Sequence, residues 1–173
     1  MGRSGGHMTG TRKLALVAAV LVIAVTSTKV SAISPSAVMV YGENAGQPTL
    51  LRPASPADFH TFGLLWWQGG PYNNPRPIDP ELLTRLKARP YVNLAIFWGQ
   101  YDVDQFKPEH ASQHGRFYPP TATEPAIVVS TVPDMQNKSN PIPSDLERFA
   151  AAWTLSPQDL SALTSLGFPS SWK

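Results

Sequence analysis

Apolar and polar positions divide the chain into two regions of different character. An uninterrupted apolar run from Leu14 to Val25 follows Arg12-Lys13 and is followed by Val30-Ser31-Ala32. A basic flank, a short apolar core and small residues around a cleavage position make the pattern of a secretory signal peptide. A helix that crosses a bilayer needs about 20 apolar residues. Lys29 falls inside any such window begun at Leu14, so cleavage after Ala32 is the expectation. The alternative is an uncleaved signal anchor, with Lys29 snorkelling to the outer interface and Arg3, Arg12 and Lys13 retained inside. Either way residues 33–173 are exported, as a secreted or periplasmic domain or as one tethered through residues 14–33.

Past residue 33 the apolar positions recur in short helical and strand-like periods, each opened by proline or a capping residue. Ser55-Pro56-Ala57-Asp58 reads as N-cap, first-turn proline and acidic N3, followed by Phe59 and Phe62 on one face. Asp79-Pro80-Glu81 repeats the signal ahead of Leu82, Leu83 and Leu86, and Pro90 ends that helix. Ser144-Asp145-Leu146-Glu147 forms a capping box that predicts a helix presenting Leu146, Phe149 and Trp153. Ser156-Pro157-Gln158-Asp159 opens a last helix with Leu160, Leu163 and Leu166, closed by Gly167 and Pro169.

Strand character belongs to 37–41, 49–51, 91–98 and 126–132. The last two are the richest in β-branched and aromatic residues and are expected at the centre of a sheet. The fold class is α+β: a small mixed β-sheet with about four short helices packed on it, preceded by the N-terminal apolar export or anchor helix. Residues 1–32 are the export segment and residues 33–173 a single globular domain, in which 133–143 is a proline-rich exposed loop.

Charge changes its meaning once the export segment is set aside. The whole chain has a formal charge of +2, but residues 33–173 hold all 12 acidic and only 10 of the 14 basic residues, a formal −2. The basic residues there are scattered apart from Arg85, Lys87 and Arg89, so a nucleic-acid groove is not expected. The chain has no cysteine, and its 17 aromatic residues must supply the stability that disulfides give many exported domains.

Chemistry is sought where polar groups are densest, from Trp98 to Tyr118. If Pro108 opens a short helix, His110 and His114 stand one turn apart on one face, the spacing at which two imidazoles bind one metal. Asp102 or Asp104 would complete a set of three ligands and leave a position for water, as in a small metal-dependent hydrolase. The two aspartates also have the paired-carboxylate character of a glycosidase, although Asp-x-Asp is equally a turn former. A divalent metal is the one cofactor this segment would accommodate. No P-loop, G-x-G-x-x-G or G-x-S-x-G is present, which disfavours nucleotide binding and the common serine hydrolases.

The aromatic segments point instead to binding. Adjacent Trp66 and Trp67 lie on different faces of a helix end, so one can enter the core while the other looks outward. Tyr72 closes the same segment after Gly69-Gly70-Pro71, and Trp98 and Tyr101, around Gly99-Gln100, repeat the pattern at the end of the 91–98 strand. Exposed rings of this kind anchor protein partners, stack on sugars or sit at a membrane interface. The leading expectation is an exported, non-catalytic binding or accessory domain, docked on a protein partner or membrane complex, with a glycan as the other ligand class. The hydrolase using His110, His114 and Asp102 or Asp104 is the alternative.

Overall fold

The computed structural model describes residues 35–66, 78–134 and 141–169. Contacts divide the chain between Ala32 and Ile33, and every described residue lies in the second unit. The export segment, Trp67 and Tyr72 lie outside the described residues. No helix among the described residues is long and apolar enough to cross a membrane.

The described chain is α+β. Its strands are β1 (Pro35–Tyr41), β2 (Thr49–Leu51), β3 (Val92–Trp98), β4 (Gln113–Tyr118), β5 (Ala126–Ser130) and β6 (Ala151–Leu155), and its helices are α1 (Pro56–Phe62), α2 (Pro80–Lys87) and α3 (Pro157–Ser165). The strands form one open sheet in the order β2-β1-β3-β4-β5-β6. Every neighbouring pair is antiparallel, so the sheet is not mixed. Its central pair is β3 and β4; the 126–132 segment supplies β5, one place from the edge.

Three helices begin where the capping residues predict. The Ser55 and Asp58 side chains exchange bonds with each other's backbone N–H, at 3.4 and 2.9 Å. Asp79 Oδ1 accepts from the Glu81 and Leu82 N–H groups, and Ser156 and Asp159 form a second reciprocal box. Each cap satisfies donors that the first helical turn leaves open.

The helix expected from Ser144 does not form. A single 3₁₀ turn spans Leu146–Arg148, and the chain then extends into β6. Leu146, Phe149 and Trp153 satisfy a helical period, but they serve opposite faces of the sheet. Leu146 and Phe149 are buried with α2 on one face, while Trp153 packs on the other and donates its indole N–H to Leu64 O at 2.9 Å. The open edge of β5 takes up the backbone of Ala151–Leu155, pairing Val128 with Trp153. Ladder hydrogen bonds and two-sided burial here override the local capping signal.

Side-chain alternation sorts the core into two layers. Val38, Val40, Leu94, Ile96, Trp98, Phe117 and Val128 face α1, α3 and the 3₁₀ turn Gly63–Leu65, where Phe62, Leu65, Trp66, Leu163 and Phe168 complete the packing. On the opposite face two separate clusters form. Ile78, Leu86, Tyr118, Ile127, Val129, Leu146 and Phe149 pack beneath α2, and Ala37, Ala95, Phe97 and Ala111 pack beneath the β3–β4 connection.

β4 is the strand the hydrophobic pattern does not reveal, because Gln113-His114-Gly115-Arg116 reads as polar loop. All six of its residues are buried. The Gln113 carboxamide is satisfied inside the fold: its Oε1 accepts from Trp98 Nε1 at 2.8 Å, and its Nε2 donates to Ser130 Oγ and Thr131 O at 2.7 and 2.8 Å. Gly115 is required by close approach, since a Cβ there would stand 3.0 Å from Val129 O and 3.3 Å from the Leu94 side chain. The 133–143 segment is not wholly an exposed loop either, for Pro143 is buried and its carbonyl accepts from Arg116.

Candidate functional site

Gly99, at φ +91°, lets the chain turn sharply out of β3, a conformation that side chains other than glycine rarely adopt. The turn delivers Gln100, Tyr101 and Asp102 to the end of the sheet, beside Arg52 from the segment after β2. Together with Ser36, Gln105 and Phe106 they line an open cleft of about 630 Å³. Tyr101 is fixed by a 2.7 Å hydrogen bond between its hydroxyl and that of Ser112. Its ring meets Phe97 edge-on, with centroids 5.1 Å apart, and Phe106 stands 5.0 Å from the same Phe97. The Arg52 guanidinium lies 4.5 Å over the Phe106 ring. Asp102 donates its backbone N–H to Gln105 Oε1 at 3.0 Å, which closes the 3₁₀ turn Val103–Gln105.

A rigid aromatic floor thus carries a rim of one cation, one carboxylate and two carboxamides. Such a lining can fix a polar ligand by hydrogen bonds while the ring edges contact its apolar parts.

The other residues singled out from the sequence are dispersed. Trp66 is 7% exposed and sits in the core, with its ring 6.2 Å from that of Trp98 in an edge-on contact. It is a packing residue rather than an outward anchor, because the helix end turns that ring toward β3. The single helix face expected for His110 and His114 does not exist. Pro108–His110 is one 3₁₀ turn, and His114 lies in β4, opposite Ala95 and buried. The His110 ring Nδ1 is 3.1 Å from Gln105 O. Asp102 and Asp104 are exposed at the 3₁₀ turn. Among the described residues no group of three or more His, Cys, Asp or Glu side chains converges to hold a metal ion.

Sequence reasoning missed a second polar array, on the sheet face between the two apolar clusters. Pairing across four strands sets Tyr41, Asn93, Arg116 and Val129 in one cross-strand row. Arg116 is only 7% exposed, and its guanidinium lies between the rings of Tyr91, at 4.4 Å, and Phe149, at 5.1 Å. Its Nη2 donates to Pro143 O and Ser144 O at 3.1 and 3.0 Å. The one sequence signal was the set Gln113, His114 and Arg116 spaced by two or by one between two apolar strands, but only the strand assignment makes sense of it.

The Tyr41 hydroxyl of this row is buried without a hydrogen-bond partner. Burial pushes its pKa up to about 12, against the opposing pull of the Arg116 charge. Tyr41 therefore stays neutral in the folded protein over a range where the unfolded chain ionises. Its contribution to stability is complete below pH 10 and is lost as pH rises from about 10 to 12. An alkaline titration followed by phenolate absorbance and circular dichroism should show stability falling across that window, with a smaller fall in Tyr41→Phe. An equal fall in the variant would assign the loss to other groups.

Compared with family models, curated proteins and solved structures, the chain matches none. What the fold and site define is an α+β domain with a six-stranded antiparallel open sheet, carrying a polar cleft at one sheet end.

Proposed function

We propose that this chain is an exported, non-catalytic binding domain, an accessory component that docks on a partner protein or membrane complex through the cleft around Tyr101 and Arg52. One observation carries the reading: Arg52, Gln100, Asp102 and Gln105 surround a shared opening over a packed floor of Tyr101 and Phe106. Rigid aromatics with adaptable polar groups at their edge are the ordinary makings of a protein-recognition patch. Residues 1–32 supply export in this reading, by cleavage or by tethering.

The test begins with the native protein, extracted from its membrane and soluble fractions in gentle detergent and weighed intact. A chain beginning at Ile33 supports a free exported domain, and a full-length membrane-bound chain supports a tethered one. The partner recovered with it should be lost in Arg52→Glu while the thermal midpoint stays within a degree or so, since exposed substitutions away from caps and cores change stability little. Retention of that partner by both Arg52→Glu and Tyr101→Ala overturns the assignment of the cleft. Saturable binding of soluble oligosaccharides that depends on Arg52 would replace the protein partner with a glycan.

A further inference from the structure

Arg52 and Asp102 line the same cleft from different parts of the chain, Arg52 from the segment after β2 and Asp102 from the turn after β3. Both are exposed, and they do not answer each other. Among the described residues the ion pairs are Arg85 and Arg89 with Glu124, and Lys87 with Glu147, so the cleft presents one unpaired cation and one unpaired carboxylate. Asp104 and Lys107, exposed nearby, are not part of its lining.

An apolar projection stands beside these charges. Val103, which follows Asp102 at the start of the 3₁₀ turn, is 83% exposed, far more than any other large apolar residue described. The cleft itself has the half-buried rings of Tyr101 and Phe106 on its floor. One end of the sheet therefore offers a knob and a hole side by side, with a positive charge and a negative charge around the same opening.

A surface that carries both members of each complementary pair matches itself. In a two-fold interface residue i meets j of the partner while j meets i, so one rotation makes every contact twice. We propose that the occupant of this cleft is a second copy of the chain, joined about a two-fold axis so that Arg52 of each protomer meets Asp102 of the other and Val103 of each enters the other's cleft, onto Tyr101 and Phe106. The proposal rests on the reading of this cleft as a docking surface and names what docks there. An unrelated partner would have to supply a carboxylate for Arg52, a cation for Asp102 and a socket for Val103; this chain already carries all three. An opening of about 630 Å³ has room for the turn that bears Val103 as well as for its side chain. Small interfaces of this kind belong to weak complexes, so the dimer should dissociate on dilution.

Sedimentation of the purified full-length chain in density-matched detergent, over a roughly hundredfold range of concentration, should show a monomer–dimer equilibrium. Arg52→Glu sets two carboxylates against each other at each contact, and Asp102→Arg sets two guanidinium groups. Each variant alone should associate at least about tenfold more weakly, the scale of one close charge pair across an interface. Mixed in equal amounts, the two should pair with each other, because both contacts then regain opposite charges. Association through the apolar residues 14–33 would ignore all of these changes. Val103→Ser leaves the charges in place and should weaken the dimer severalfold; if Asp102→Arg does not fold, Val103→Ser and Arg52→Glu still decide the matter. A chain that stays monomeric, a dimer indifferent to Arg52→Glu or to Val103→Ser, or folded charge variants that fail to pair when mixed would each overturn the proposal. A monomeric chain that nevertheless loses a different protein in Arg52→Glu would overturn the dimer and leave the docking reading standing.

Discussion

Replacing Trp66 with alanine is expected to destabilise the folded domain by about 3–5 kcal/mol, the usual cost of removing a large buried aromatic. Trp66 closes the layer between the sheet and α1, lies against Trp98, and belongs to the cluster that holds Phe62, Leu65, Ile96 and Phe117. The cavity left behind would be walled by strands and helix ends that cannot collapse into it together, so loss of contacts adds to loss of apolar transfer. Denaturant unfolding, followed by circular dichroism so that the signal does not depend on the deleted indole, checks the figure. A change of less than about 1 kcal/mol, typical of a surface substitution, would make Trp66 the outward-facing member of the Trp66-Trp67 pair.

The second large effect is expected at Gln113. Gln113→Leu conserves approximate volume but strands the indole N–H of Trp98, whose acceptor is Gln113 Oε1, and deprives Ser130 and Thr131 of a donor. A buried donor left without a partner costs about 1–3 kcal/mol, and disruption of the surrounding network adds to it. Combining Gln113→Leu with Trp98→Phe should cost less than the sum of the two single changes, because the second substitution removes the stranded N–H. Strict additivity in that double-mutant cycle would show that the bond is not coupled to stability.

Neither role was legible in the linear pattern, and the reason is common to both. Periodicity reports which side of a local element is apolar, but a central strand buried on both faces has no polar side to report. In β4 the residues are polar and buried together, because their partners come from β3, from the β5 end and from Pro143 and Ser144. None of those distances along the chain is fixed by a motif. The same applies to Leu146, Phe149 and Trp153, where a correct helical period met an open strand edge.

The candidate cleft was legible in part. Tyr101 was marked as an aromatic at a strand end and Asp102 only as a metal-ligating or paired carboxylate, and both line it. Arg52 was invisible, since it follows β2 and reaches the cleft only because β1, paired with β2 on one side and β3 on the other, sets the ends of those two strands level. Arg116 was hidden in the same way, its meaning supplied by Tyr91 and Phe149 on either side.

By itself the sequence determined the α+β class, the starts of the three helices and four of the strands. Those features rest on proline geometry, capping side chains and β-branched runs, which act over a few residues. The tertiary structure alone decided the antiparallel order, the polar strand β4 and the helix-like segment that became β6, the burial of Trp66 and the convergence of Arg52 with Tyr101. Each of these depends on which backbone edges and which side chains meet across long stretches of chain, and that is settled by ladder hydrogen bonds and burial on two faces at once.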